Sequence, residues 1–169
     1  LLQFARYTRQ GARLKLLAGR VEPMIRETLE LLGERIRARG SPIAIEVPAD
    51  LPDVPVDLEG LQQVLLNLLQ NSLDACPEGG HISVRATSDG KSLRLVVQDD
   101  GQGMTEEVLR RAKEPFFTTK SQEVGSGLGL AISQAIVGAC DGTLELTSRP
   151  GLGTTATVEI PLRKNHDHA

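Results

Sequence analysis

The sequence predicts an α+β protein, a two-layer sandwich in which one mostly antiparallel sheet carries three helices on one face. Stretches with apolar residues at helical spacing alternate along the chain with pairs of runs of period two, so helices and hairpins interleave. The paired runs are joined by short turns rich in glycine, which makes them antiparallel neighbours. At 169 residues the chain is long enough for one domain with its own core.

Residues 1–10 are amphipathic, like the end of a helix begun upstream, and Gly11 breaks it. We therefore separate residues 1–12 from a domain spanning 13–164. Arg13 to Leu17 reads as a short edge strand. Glu22 to Arg39 reads as one helix, with Met24, Ile25, Leu29, Leu32 and Ile36 at helical spacing, stopped by Gly40-Ser41-Pro42. Ile43, Ile45 and Val47 alternate like a strand. The Pro-rich stretch Pro48 to Pro55 leads to a second helix from Asp57 to about Ala75. Two alternating runs, His81 to Thr87 and Leu93 to Asp99, form a hairpin about Asp89-Gly90. A loop-rich middle, Asp100 to Gly127, holds a short helix near Thr105 to Ala112. A third long helix covers Leu128 to Cys140. The strands Thr143 to Ser148 and Thr154 to Ile160 close the domain, and the polar tail is expected to be disordered over 165–169.

Composition excludes some functions. Among the aromatics there is no Trp, one Tyr and three Phe, so no stacking platform for single-stranded nucleic acid exists. A formal net charge of -3 gives no basic field for DNA or an acidic membrane surface. No apolar run is long enough to span a bilayer, and the N-terminus lacks the layout of a signal peptide. The first residue is Leu, so a piece of a longer cytoplasmic chain is expected. Cys76 and Cys140 lie far apart without metal-ligand spacing and read as reduced, half-buried thiols.

Four segments carry chemistry. On helix 57–75, Asn67, Asn71 and Asp74 fall within a sector of roughly 60° beside the apolar stripe. An Asn oxygen is a hard neutral donor suited to Mg²⁺ shared with phosphate oxygens; an exposed face with stray amides is the plainer alternative. Asp99-Asp100-Gly101-Gln102-Gly103 follows a strand. A carboxylate fixed there beside bare backbone can accept from an exocyclic amino group such as that of adenine, although an ordinary Asp-Gly turn has the same composition. Glu114 to Lys120 gathers two Phe residues, hydroxyls and a Lys suited to phosphate. Gly125-Ser126-Gly127-Leu128-Gly129-Leu130 runs into a helix whose N-terminal amides favour an anion. It is neither a dinucleotide fingerprint nor a phosphate loop ending in Gly-Lys. Each segment alone is weak; the ordered series is specific.

The series resembles the N, G1, F and G2 boxes of sensor histidine kinases, over roughly residues 13–162. The Phe-Phe-Thr-Thr-Lys wording is closest to the nitrogen-regulation and C4-dicarboxylate sensor branch. Residues 1–10 resemble the end of the second helix of that branch's dimerisation hairpin. The resemblance implies the Bergerat ATP-binding fold, with a mixed, mostly antiparallel sheet, and ATP and Mg²⁺ as cofactors. Asn67, Asn71 and Lys120 would lie at the reaction centre, with Asn71 holding the metal. Asp99 would bind the adenine amino group, assisted by Thr154. Gly101 and Gly103 would let the base in. Lys120, Ser126 and the amides of Gly127, Leu128 and Gly129 would hold phosphates under a flexible lid. Asp74, Met104, Phe117, Thr118, Thr119 and Leu130 complete the implied nucleotide contacts. Asp100 stands where Asn is usual. The lid between Lys120 and Gly127 is short, which implies fast nucleotide exchange.

Kinase and ATPase relatives differ at the place of Asn67, where ATPases carry a Glu that activates water. An amide takes no proton at neutral pH, so hydrolysis lacks its base. The γ-phosphate is kept for a His on a helical hairpin, and then for a response-regulator receiver domain. None of His81, His166 and His168 lies on a helical stripe. Homodimerisation through the hairpin, no nucleic-acid partner and no direct membrane contact by this domain are implied, with the parent open to inner-membrane anchoring. A gyrase- or chaperone-type ATP switch and a non-catalytic nucleotide module are the other readings.

Overall fold

The computed structural model describes residues 17–48, 51, 53–119 and 126–162. The expected helix end at 1–12, residues 13–16 of the first strand, Lys120 with most of the lid, His166, His168 and the tail lie outside the described residues.

The first described element is β1 (Leu17–Gly19), which pairs antiparallel with β3 (Val54–Val56) in a small two-stranded sheet. β1 therefore extends past the expected end at Leu17. β3 lies in the stretch read only as a Pro-rich connection. Val54 and Val56 alternate into the core, and Pro55 between them is tolerated because a two-stranded ribbon has open edges.

The helix expected over 22–39 is two helices, α1 (Val21–Leu31) and α2 (Gly33–Arg39). Leu32 breaks them at φ −95° and ψ 2°, outside the helical basin. Burial of Leu32 and the poor helix propensity of Gly33 favour the break, because a bend lets both pieces follow the core. The Thr28 hydroxyl donates to the Met24 carbonyl at 2.8 Å, a bond that bends helices. Gly40 closes α2 in the left-handed region.

Strand β2 (Ile43–Glu46) runs parallel to β4 (Ile82–Ser88), and β4, β5 (Ser92–Asp99), β7 (Thr154–Pro161) and β6 (Thr143–Ser148) continue antiparallel. The five strands lie in the order β2-β4-β5-β7-β6. The sheet is thus mixed and mostly antiparallel, as expected. Helix α3 (Leu58–Ala75) starts where the Asp57 carboxylate accepts from the Gly60 amide at 3.1 Å. The short α4 (Glu106–Arg111) is capped by Thr105 in the same way, and α5 (Gly129–Ala139) follows the glycine segment.

Register lines up the core. Val84, Val97 and Ala156 lie opposite one another, as do Ala86, Leu95 and Val158. Ile25 of α1, Leu61, Leu65, Leu69 and Leu73 of α3, and Ile136 and Val137 of α5 close over that face in one buried cluster. The opposite face carries Glu46–Arg85 and Arg94–Glu159 ion pairs. The helices therefore occupy one face and the other is polar, which is the predicted sandwich.

Candidate functional site

Along β5 the buried face reads Leu93, Leu95, Val97, Asp99. The alternation that makes this strand also carries a carboxylate to the end of the apolar stripe, where Asp99 is 6% exposed. Three donors surround it. The Ser72 hydroxyl of α3 donates at 2.8 Å, the Gly101 amide at 3.0 Å and the Thr154 amide of β7 at 3.2 Å. Burial pushes its carboxyl above the ordinary 3.8, and these hydrogen bonds oppose the rise. Ser72, on the buried face of α3, is the partner of Asp99 there.

Beside this carboxylate opens a cavity of about 600 Å³, within the usual range for small-molecule sites. Asn67, Asn71, Asp74, Asp99, Gly103 and Met104 line it. So do Phe117, Thr118, Thr119, Ser126, Gly127, Leu128, Gly129, Leu130 and Thr154. The structure thus brings together all the expected site residues it describes except Gly101.

Gly101 sits behind the wall. A Cβ there would lie 2.7 Å from the backbone of Ala75, so this glycine admits the end of α3 rather than a base. Gly103 lines the cavity, but its lack of a side chain answers to Arg149, whose carbonyl would lie 1.9 Å from a Cβ at φ +66°. Asp100 points away from the cavity. It accepts from the His81 amide at 2.9 Å and meets His81 Nδ1 at 3.0 Å. The His81 amide holds the Asp100 carboxyl below its usual range, so the substitution of Asp for the usual Asn leaves the cavity untouched.

Asn67 is occupied structurally. Its oxygen accepts from Gln63 at 3.0 Å, while its amide nitrogen donates to the Gly129 carbonyl at 3.1 Å and the Ser133 hydroxyl at 3.2 Å. It ties α3 to the first turn of α5. Gly127, at φ +67°, backs onto Phe116, where a Cβ would lie 2.5 Å from the Phe116 carbonyl carbon. The Phe116 amide donates to the Gly127 carbonyl at 2.9 Å. Phe116 is 70% exposed, whereas Phe117 lines the cavity beneath the Arg111 guanidinium. Both cysteines are free and fully buried rather than half-buried, because each closes the end of a core helix. Burial, with the charges of Asp99 and Asp100, pushes the Cys76 thiol up to about 11.

Sequence reasoning missed Arg35, Gln63, Gln70 and Gln102 of the cavity wall. Gln63 was within reach, being four residues before Asn67 on the same edge of α3. Arg35 left no local signal, since it meets the cavity only through tertiary packing. Ser148 was missed as well. Its hydroxyl accepts from the Met104 amide and donates to the Gly153 carbonyl, both at 2.8 Å.

Residues 56–164 match the family of histidine kinase-, DNA gyrase B- and HSP90-like ATPases. The chain belongs to that family. Within it, the likeness is to sensor histidine kinases. The C4-dicarboxylate transport sensor protein DctB of Pseudomonas aeruginosa is 37% identical over 144 residues, covering 81% of this chain and 23% of that protein. The catalytic domain of histidine kinase ThkA superposes with a TM-score of 0.76 at 32% identity, over 86% of this chain and 95% of that one. Full-length ShkA, solved in complex with AMPPNP, gives 0.84 at 31% identity over 96% of this chain and 34% of that one. The chain spans about a fifth to a third of the length of the first curated relatives it matches.

Proposed function

We propose that the chain is the ATP-binding catalytic domain of a sensor histidine kinase, comprising residues 13–164. It holds Mg·ATP in the cavity beside Asp99 and hands the γ-phosphate to a histidine on a dimerisation hairpin, of which residues 1–12 are the end. A response-regulator receiver domain takes the phosphate next. The parent is a cytoplasmic or inner-membrane-anchored homodimer. Among the described residues no helix is long and apolar enough to cross a membrane.

The carrying observation is the buried Asp99 at the cavity wall, braced by three donors. A fixed, desolvated carboxylate discriminates a base bearing an exocyclic amino group from one bearing a carbonyl, which would leave the acid unpaired. Met104, Leu130 and the backbone of Gly103 offer the base apolar walls. Ser126, Thr118, Thr119, Lys120 and the amides opening α5 suit the phosphates.

The donor set fits Mg²⁺ shared with a nucleotide. Among the described residues no group of three His, Cys, Asp or Glu side chains gathers to hold a metal alone. The Asn71 amide oxygen is the hard neutral donor that such shared coordination uses. When bound, the ion neutralises phosphate charge and aligns the γ-phosphoryl group; the chain supplies position. Asn67 provides no base, and its amide is already spent on Gln63, Gly129 and Ser133. Water is therefore not activated at that place.

The test is to mix the domain with a separately made dimerisation hairpin and ATP labelled at the γ-phosphate. Label on the hairpin histidine is expected. Free phosphate would favour an ATP-driven switch, and neither product a non-catalytic module. Asn71→Ala should weaken Mg·ATP more than metal-free ADP in a binding titration; equal losses would remove the metal role.

A further inference from the structure

The described residues so far assigned to the phosphates, Thr118, Thr119, Ser126 and the amides opening α5, bring hydroxyls and amides but no cation. Among the described residues lining the cavity, the charged ones are Arg35, Asp74 and Asp99. Two carboxylates against one guanidinium make this wall net negative. Asp99 faces the base in the reading above, so among the described lining residues the charge near the phosphates turns on Asp74 and Arg35.

These two come together across layers. Arg35 is on α2 and Asp74 near the end of α3, and Arg35 Nη2 donates to Asp74 Oδ1 at 2.5 Å. The break at Leu32 allows α2 its own direction, and α2 packs on α3. The Asp74 side chain is 15% exposed and that of Arg35 is 45% exposed. A partly buried acid therefore anchors a guanidinium that still opens on the cavity. Arginine has five donors in a planar fork, and one donor is committed to Asp74. The remaining fork matches phosphate oxygens bidentately.

We propose that Arg35 is a phosphate-binding residue of the nucleotide site, and that Asp74 is its positioning residue rather than a nucleotide contact. The inference rests on the nucleotide reading of the cavity. A bare Asp74 would repel phosphate; paired, it fixes a cation whose charge the phosphates then share. A pair serving only to join α2 to α3 would have no reason to face the cavity.

The experiment measures the affinities of ATP, ADP and adenosine by displacement of a fluorescent ATP analogue from wild type, Arg35→Ala, Arg35→Lys, Asp74→Ala and Asp74→Glu, with melting curves for each. Arg35→Ala is expected to weaken ATP and ADP about tenfold or more and to leave adenosine unchanged. Arg35→Lys should restore part of the loss, since it keeps charge without the fork. Asp74→Ala should weaken ATP less than Arg35→Ala does, and Asp74→Glu should recover it. The ATP-to-adenosine affinity ratio of Arg35→Ala/Asp74→Ala should equal that of Arg35→Ala alone. Equal losses for adenosine and ATP, or none, would overturn the role of Arg35, and tighter ATP binding by Asp74→Ala would overturn that of Asp74. A wild-type domain that binds no ATP at millimolar concentration would instead sink the nucleotide reading itself. Wild-type binding with an unaltered Arg35→Ala variant sinks only this inference.

Discussion

Asp99 concentrates the chemistry of the molecule in one side chain. Asp99→Asn keeps an oxygen for the Gly101 and Thr154 amides and presents an NH₂ to Ser72, whose hydroxyl accepts as readily as it donates. The fold should therefore survive, with melting within a few degrees of wild type. Affinity for ATP should fall about a hundredfold, because the NH₂ that replaces a carboxylate oxygen cannot accept from adenine. Wild-type affinity equal for adenine and guanine nucleotides would count against the assignment. The pH dependence has a definite sign. Asp99 holds its proton more tightly folded than unfolded, so its contribution to stability is present at acid pH and lost as pH rises past 3.8 and through the raised folded value. Relative to Asp99→Asn, the wild type should lose melting temperature over that interval; a flat difference would show that burial does not tune this acid. Behind Asp99 stands Gly153, at φ +81°, where a Cβ would lie 1.9 Å from the Asp99 carbonyl oxygen. Gly153→Ala should cost about 2 kcal/mol or more in denaturant unfolding. A cost under 0.5 kcal/mol would mean that the loop shifts freely.

At the scale of elements, what the sequence made legible was whatever local pattern determines. Helix α3 announces itself through Asp57 and an apolar stripe, and the β4–β5 hairpin through alternation about Asp89-Gly90. Described residues from all four segments line one cavity, because they end α3, follow β5, follow α4 and lead into α5. Tertiary forces hid the rest. Helical spacing continues through Leu32, so the pattern could not reveal that the core bends the helix there. Pro55 concealed β3, since a strand only two residues from a helix start gives too short an alternation. Asn67 was legible as an amide where a base would be needed, but not as the strut between α3 and α5, because Gly129 and Ser133 lie more than sixty residues away. That strut makes a prediction. Asn67→Ala should speed hydrogen exchange of the α5 first-turn amides and weaken ATP severalfold, since the helix end proposed to hold phosphate loses its tie. Asn67→Glu should not turn the domain into an ATPase, because its carboxylate would face the Gly129 carbonyl with no proton to offer. Rapid phosphate release by Asn67→Glu with unchanged exchange would refute the strut.

At the scale of the whole molecule, the cavity is where the two layers fail to close. Its walls come from α2, α3, α4, α5, from β5, β6 and β7 and from the segments before α4 and α5, so a ligand there adds contacts to elements already joined through the core and through ties such as Asn67 to Gly129. His81 is no acceptor for its phosphate. Its side chain is 88% exposed, it sits just before β4 beside Asp100, and it lies outside the cavity lining, so His81→Ala should leave phosphotransfer to the hairpin unchanged. Because α3, α5 and the central strands of the wall share one buried core, nucleotide should stabilise the domain as a unit. At a hundredfold excess over Kd the gain is about 2.7 kcal/mol, a rise in Tm of roughly 5–11 °C for a domain of this size. Calorimetry should show a single transition that moves with ATP and a much smaller movement for Asp99→Asn. If half of the unfolding heat stayed fixed while the other half moved, the walls would belong to separately melting parts, and a phosphate-holding edge could not report occupancy of the base end. A single moving transition means that filling the pocket at Asp99 is felt at Arg35 and at the start of α5, the coupling a domain needs if it is to deliver phosphate only when charged with nucleotide.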